Sequence, residues 1–205
     1  GGVTGLTSIY PGDVRKLTRC DQDTDGGSWT VLLLRQRQEP QLNFKRSFQE
    51  YQHGFGDASG EYWIGLDAIR DLTSDDRNEL LVTMTVGNET AASYYDRFSV
   101  DSSYKLHVAG YDGSKSTGGD SLTYHDNMGF TTYDRDRDGA WGGNCADWCG
   151  GGGWWYNYCF FANPTGIHPA GEPHGDADHF LEWRKWQGYH AYLSDFVMMI
   201  RPKQT

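Results

Sequence analysis

Runs of apolar residues, alternating or continuous, divide the chain into short elements of regular structure. Segments rich in β-branched and aromatic residues predict strands, and a segment that ends in glycine predicts a helix. The predicted strands span residues 28–37, 61–66, 79–86, 91–98 and 104–109, and the predicted helical segments span residues 47–53 and 67–72. The pattern favours an α+β fold, with a mainly antiparallel central sheet and a few short helices.

Local signals set the ends of these elements. Gly54 is predicted to end the first helix. Thr73 is predicted to cap the start of a further helical turn, because the acidic residues that follow it suit the positive end of a helix. At the end of the chain, Tyr192, Phe196, Met198 and Ile200 are predicted to share one face of a last strand that Pro202 ends.

Regular periodicity is lost between Gly110 and Pro173, where Gly, Asp, Asn and aromatic residues are dense. A long irregular segment in a compact domain is usually functional, or is held by disulfides and bound ions. The sequence therefore predicts that one large irregular lobe is attached to the sheet.

Composition narrows the class of protein. The 205 residues are enough for one sizeable core, which predicts a single domain over residues 1–205. The formal net charge of −10 argues against a nucleic-acid partner, since binding phosphates requires a basic face. No apolar run is long enough to insert into a membrane. No secretion signal is visible, which is typical of a mature or excised segment.

An acidic ladder lies inside the irregular segment and consists of Asp134, Asp136 and Asp138. Alternating carboxylates before a glycine resemble the start of an EF-hand loop, but Cys145 stands where that loop needs a glutamate. Two interpretations remain. The ladder is either a non-helical Ca²⁺ loop completed by backbone carbonyls, or a solvated turn whose charges Arg135 and Arg137 neutralise.

Four cysteines permit three disulfide pairings, and the spacing does not choose among them. A disulfide that closed the loop from Cys145 to Cys159 would stabilise the fold by roughly 3 kcal/mol. A zinc site would combine Cys145, Cys149 and Cys159 with His168 or His174, but the spacing is irregular. Together with the glycosylation sequon at Asn88, the cysteines favour an extracellular setting.

Aromatic residues crowd the end of the same segment. They are Trp148, Trp154, Trp155, Tyr156 and Tyr158. Such rings can stack on sugars or acetyl groups, or they can form the core of a glycine-rich lobe. Because adjacent tryptophans rarely both face solvent, we expect most of them to be core.

Over essentially its whole length the chain resembles the fibrinogen C-terminal-like domains of fibrinogens, ficolins, tachylectins, tenascins and angiopoietins. The resemblance depends on the order and spacing of several motifs, each of which is weak alone. They are Cys20-Asp21, residues 24–31, 54–56, 60–66 and 119–122, the acidic ladder, residues 144–146 and 154–159, and Trp183 with Trp186.

The resemblance implies a Ca²⁺ ion held by the side chains of Asp136 and Asp138 and by carbonyls near Trp141 and Gly143. It also implies a disulfide between Cys145 and Cys159, and a cis peptide bond between Tyr158 and Cys159. A cis bond before a residue other than proline costs about 3–4 kcal/mol, so the disulfide and the Ca²⁺ loop would have to hold it.

In the lectin branch of the family, a pocket beside the Ca²⁺ loop receives acetyl groups. The positions here that match this pocket are Tyr158, Cys159, Phe160, Ala177, Asp178 and Tyr189. Phe160 replaces a usual histidine, which removes a polar group, and Ala177 replaces an aromatic residue, which opens one wall. Asp178 matches a position that helps to receive a peptide amine in fibrinogen.

The resulting functional prediction is a secreted, Ca²⁺-stabilised lectin-like module that binds glycans or acetylated ligands of microbial surfaces in innate immunity. The alternative is a signalling or matrix domain that binds a protein partner through the same lobe. An enzyme is disfavoured, because the seven histidines are not accompanied by a nucleophile motif.

Family resemblance also implies assembly through segments outside this chain, and a Cys20 that pairs with an upstream cysteine. We therefore expect the N-terminal edge of the domain to be missing. The partner of Cys20 would then be absent, in another molecule, or Cys149.

Overall fold

The computed structural model describes residues 3–170 and 177–203. Its strands are β1 (Gly5–Ile9), β2 (Lys16–Asp21), β3 (Trp29–Arg35), β4 (Phe55–Gly56), β5 (Tyr62–Trp63), β6 (Asn78–Val86), β7 (Glu89–Val100), β8 (Leu106–Tyr111), β9 (Ala162–Asn163), β10 (Glu182–Trp183) and β11 (Asp195–Pro202). The helices are α1 (Phe48–His53), α2 (Leu66–Leu72), α3 (Cys145–Trp148) and α4 (Arg184–Gln187), and 3₁₀ turns cover Thr24–Gly26, Thr123–His125 and Ala177–His179.

The central sheet is antiparallel and has the strand order β1-β2-β3-β11-β6-β7-β8, with β5 paired to β3 and β4 paired to β5. The last strand of the chain, β11, lies between β3 and β6, so the two ends of the described chain join in one sheet. The α+β prediction is therefore correct, and the strands predicted from periodicity correspond to β3, β6, β7, β8 and β11.

Three local predictions are wrong. Thr73 does not start a helix; it ends α2, where its hydroxyl donates to the Ile69 carbonyl at 2.8 Å. The strand predicted over residues 61–66 is reduced to β5, because Leu66 already begins α2. Tyr192 precedes β11 and packs against Phe180, with ring centroids 4.7 Å apart, instead of extending the strand.

Aromatic rings join the irregular lobe to the sheet. Trp155 packs edge-on against Phe130 with ring centroids 5.1 Å apart, and lies 6.1 Å from Trp63 of β5. Tyr51 of α1 accepts a hydrogen bond from the Gly153 N–H at 2.9 Å. A side chain at Gly153 would come within 2.8 Å of both Phe130 and Tyr51, so this glycine permits the close approach. The lobe is thus built directly onto the core of the sheet.

Candidate functional site

The three aspartates of the acidic ladder have different surroundings. Asp134 accepts a hydrogen bond from the backbone N–H of Phe48 in α1, so it faces a helix. Arg135 lies over the Phe48 ring, and Arg137 donates to the Ser103 carbonyl at 2.7 Å. Within the described part of the chain neither arginine forms an ion pair with a carboxylate, which removes the neutralisation that the solvated-turn interpretation required.

Asp136 and Asp138 form the remaining carboxylate pair. Asp136 accepts a hydrogen bond from the Asp138 N–H at 3.1 Å, and the two oxygens of Asp138 accept from the N–H groups of Ala140 and Cys145 at 2.8 and 2.7 Å. Burial and the nearby charge of Asp136 hold the pKa of Asp138 above its usual value, against those hydrogen bonds. A cation beside this pair would offset both effects.

The loop after Asp138 packs closely against the side chain of Trp148. At Gly143 a Cβ atom would lie 1.8 Å from Trp148, so only glycine fits there. Trp141 is 92% exposed, and its ring stands outside the loop. Two carboxylates and nearby backbone carbonyls make an all-oxygen donor set, which is the type that Ca²⁺ prefers. The residues present therefore fit Ca²⁺ by the chemistry of their donors.

A disulfide joins Cys145, at the start of α3, to Cys159. The bond between Tyr158 and Cys159 is not cis; the cis peptide bond in the described chain lies between Glu39 and Pro40. This prediction is wrong, and Cys159 instead adopts a left-handed φ of 47°.

The same disulfide excludes the zinc site considered from the sequence, because Cys145 and Cys159 are bonded to each other and cannot also bind a metal as thiolates. Cys20 and Cys149 are free thiols. Burial raises the pKa of Cys149 to about 12 and also raises the pKa of Cys20. Both thiols are therefore protonated at neutral pH and are poor metal ligands.

Most of the aromatic wall is core, as expected. Trp154, Trp155 and Tyr156 are fully buried. Trp148 is about half exposed and Tyr158 is 70% exposed, so these two rings remain available for contact with a ligand.

The predicted ligand pocket is organised around Arg184, the first residue of α4. Its guanidinium lies 3.9 Å from the centroid of the Phe160 ring and 4.6 Å from that of Tyr189. It also donates to Asp178 Oδ1 at 2.5 Å and to Glu182 Oε2 at 3.0 Å. Three of the predicted ligand residues, Phe160, Asp178 and Tyr189, thus meet at one arginine.

The other predicted ligand residues are placed differently. The Tyr158 carbonyl accepts a hydrogen bond from the Tyr124 hydroxyl at 3.0 Å, while the Tyr158 ring faces solvent. Cys159 N–H points to Cys145 Sγ at 3.1 Å. The Phe160 side chain is buried beneath Arg184, so it supports the surface and does not form it. The Ala177 backbone belongs to a 3₁₀ turn, and its side chain lies outside the described residues.

Sequence reasoning missed Arg184. Its partners lie 2, 6 and 24 residues away along the chain, at Glu182, Asp178 and the Phe160 carbonyl. The available signal was a charged residue directly after the buried Trp183, in a segment that otherwise supplies core aromatics.

Comparison with known protein families shows to which family the chain belongs. The family model described as fibrinogen beta and gamma chains, C-terminal globular domain, matches residues 3–203. The chain belongs to this family.

Among similar proteins, human tenascin-R is 39% identical over 96% of this chain, and human angiopoietin-related protein 6 is 38% identical over 89%. The chain spans only 14% of the length of tenascin-R and 38% of that of angiopoietin-related protein 6. What is similar is therefore one domain of larger proteins.

Solved structures share the fold. The fibrinogen-like globe domain of human ANGPTL6 superposes with a TM-score of 0.90 at 36% identity, covering 99% of this chain and 90% of that one. Lamprey fibrin D-dimer, in complex with the peptide Gly-His-Arg-Pro-amide, gives a TM-score of 0.86 at 25% identity, covering 100% of this chain and 71% of that one.

Membership of this family makes the chain a secreted, extracellular binding module and not an enzyme. Among the described residues there is no helix of the length and apolar character needed to cross a membrane.

Proposed function

We propose that this domain binds a protein partner outside the cell through the surface formed by Arg184, Tyr189 and Tyr158. The observation that carries the proposal is the position of the Arg184 guanidinium between the rings of Phe160 and Tyr189. A pocket for a neutral acetyl group needs an apolar cavity with a few donors. Here the corresponding space holds the guanidinium of Arg184, which Asp178 and Glu182 already neutralise, so the surface presents exposed tyrosine rings to a polypeptide and not a cavity to an acetyl group.

The composition of this surface supports the same proposal. Tyr158 and Tyr189 are 70% and 63% exposed, and tyrosine and arginine are enriched at the energetic centres of protein interfaces. The fibrin D-dimer similar to this chain has a peptide as its ligand. Tenascin-R and angiopoietin-related protein 6 are relatives by sequence, which favours a matrix or signalling role over a microbial lectin role.

Binding of a Ca²⁺ ion at the acidic loop is part of the proposal. The carboxylates of Asp136 and Asp138, with the carbonyls of Trp141 and Gly143, would hold it. A bound Ca²⁺ would supply positive charge that neutralises the carboxylate pair and stiffens the loop. Because Asp138 accepts the Cys145 N–H, this loop is tied directly to the disulfide beside Tyr158.

Asn88 is proposed to carry an N-linked glycan. It is exposed in the turn between β6 and β7.

The partner class can be tested with fluorescently labelled domain on cells and on a glycan array. The variants are Tyr189→Ser and, as a matched control, Tyr10→Ser, since Tyr10 is 67% exposed but lies between β1 and β2. We expect cell binding to be lost after surface proteolysis, to survive enzymatic removal of glycans, and to be weakened by Tyr189→Ser alone.

Two outcomes would contradict the protein-partner proposal. One is cell binding that glycan removal abolishes and surface proteolysis spares. The other is Ca²⁺-dependent binding to N-acetylated sugars on the array that Tyr189→Ser weakens, which would establish the lectin function instead.

A further inference from the structure

Three metal-ligating side chains converge beside Arg184. They are Asp178 from the 3₁₀ turn Ala177–His179, Glu182 from β10, and His190 from the turn after α4. One ligand atom of each lies within 4.8 Å of the other two. None of these groups belongs to the acidic loop of Asp136 and Asp138.

Glu182 is the unusual member of this group. Its side chain is only 1% exposed. Oxygen Oε2 is bound by Arg184, but Oε1 has no hydrogen-bond partner among the described residues. A buried carboxylate oxygen without a partner is costly, and in native proteins it commonly marks an ion or a water.

A candidate partner of Glu182 Oε1 is His190 Nδ1, 3.6 Å away. That separation is too long for a hydrogen bond. It is close to about 3.4 Å, which is the distance between two ligand atoms in a tetrahedral site whose metal–ligand bonds are about 2.1 Å long. The gap between these two atoms is therefore the right size for a metal ion that both could bind.

Arg184 holds the two carboxylates in a suitable orientation. It donates to Asp178 Oδ1 and to Glu182 Oε2, which leaves the other oxygen of each carboxylate for a metal. Outer hydrogen bonds of this kind fix the direction of metal ligands and raise affinity. His190 is 51% exposed at its side chain, so an ion can enter from solvent.

We propose that Asp178, Glu182 and His190 form a Zn²⁺ site. One imidazole nitrogen and two carboxylate oxygens are characteristic zinc ligands, whereas Ca²⁺ requires more oxygens and disfavours imidazole. Three protein ligands leave one tetrahedral position for water. Two carboxylates with one arginine have a net charge of −1, so a divalent cation is electrostatically acceptable there.

Calorimetric titration with Zn²⁺ in excess Ca²⁺ tests this site, because excess Ca²⁺ saturates the acidic loop. The protein is the full chain with Cys20→Ser, which removes the more exposed free thiol. We expect one Zn²⁺ per chain, and an affinity reduced by at least about tenfold in His190→Ala and in Asp178→Asn. The matched control is His53→Ala, at an exposed histidine in the last turn of α1.

Co²⁺ provides an independent readout. We expect a tetrahedral visible spectrum without the thiolate charge-transfer band that binding to cysteine would produce, and we expect His190→Ala to remove it. The proposal is overturned if wild-type protein binds no Zn²⁺. It is also overturned if His190→Ala and Asp178→Asn, with melting temperatures like that of the wild type in Ca²⁺, bind Zn²⁺ as tightly as His53→Ala.

Discussion

Asp134 Oδ1 accepts a hydrogen bond of 2.9 Å from the backbone N–H of Phe48, 86 residues earlier in the chain. Phe48 is the first residue of α1, whose Ser47 and Glu50 already form a capping box. Asp134 thus satisfies a further N–H at the helix start and brings negative charge to the positive end of the helix dipole. An aspartate that looks like a cation ligand in the sequence is a helix cap in the structure.

The first prediction concerns this cap. Asp134→Ala should lower the free energy of unfolding by about 1 kcal/mol, because it leaves an N–H of α1 unsatisfied. Urea denaturation with and without Ca²⁺ measures the effect. We expect the stabilisation by Ca²⁺ to persist in this variant. If Asp134→Ala abolishes the Ca²⁺ response, Asp134 is a ligand and the proposed assignment is wrong.

The second prediction concerns the proposed Ca²⁺ site. At a concentration 100-fold above its Kd, a ligand that binds only the folded state stabilises it by about 2.7 kcal/mol. For a chain of this length the melting temperature should then fall by about 5–10 °C when Ca²⁺ is chelated. Asp136→Ala should remove this difference, whereas Asp13→Ala, at an exposed residue outside the loop, should preserve it.

Scanning calorimetry with chelator and with added Ca²⁺ provides the measurement. Asp136 is the better position to change, because Asp138 also accepts two backbone N–H groups and its loss would destabilise the loop directly. Equal melting temperatures with and without Ca²⁺ in the wild-type protein would rule out the site.

How far the fold can be read from sequence depends on where each strand lies. The strands β3, β6 and β11 contain long runs of buried side chains, and periodicity identifies them. By contrast β1 and β2 lie at the edge of the sheet, where most side chains are at least partly exposed, so their pattern is weak.

The residues of the candidate site also differ in how far the sequence reveals them. Asp178 and Tyr189 could be named from the family resemblance, because each matches a position of the ligand pocket in the family. Arg184 could not be named, since its role depends on Phe160 and Asp178 being brought together by the fold. The prediction for Thr73 is wrong because a threonine hydroxyl can serve either end of a helix, and only the position of Ile69 decides which.

The third prediction concerns the buried ion pair of Arg35 and Glu61, whose side chains are almost fully excluded from solvent and 2.9 Å apart. Arg35 also donates to the carbonyls of Pro164 and Gly166, and so connects β3 to the irregular lobe. Arg35→Met should cost about 3–5 kcal/mol, because Glu61 is left buried without its partner.

Urea denaturation checks this cost, and a second substitution separates its causes. Adding Glu61→Gln to Arg35→Met removes the unpaired charge and keeps an acceptor for the Leu42 N–H. The double variant should therefore be more stable than Arg35→Met alone. A loss below about 1 kcal/mol in the single variant would show that the pair contributes no more than an exposed one.

The last prediction concerns His125, which is fully buried. Its Nδ1 lies 2.7 Å from the Trp155 carbonyl, and its Nε2 accepts hydrogen bonds from the N–H groups of Phe161 and Ala162. Because Nε2 is an acceptor, the ring must be neutral with its proton on Nδ1. Burial lowers the pKa of His125 to about 4.

Between pH 6.5 and about 4 the unfolded chain therefore binds a proton at His125 that the folded chain does not. The contribution of His125 to the free energy of unfolding should be fully present above pH 6.5. It should be lost as the pH falls through this window, by about 3 kcal/mol at most. Urea denaturation from pH 7 down to pH 4.5 measures the slope, which should be smaller in His125→Gln than in the control His53→Ala. Equal slopes in these two variants would mean that His125 is already protonated in the fold, which its two N–H donors oppose.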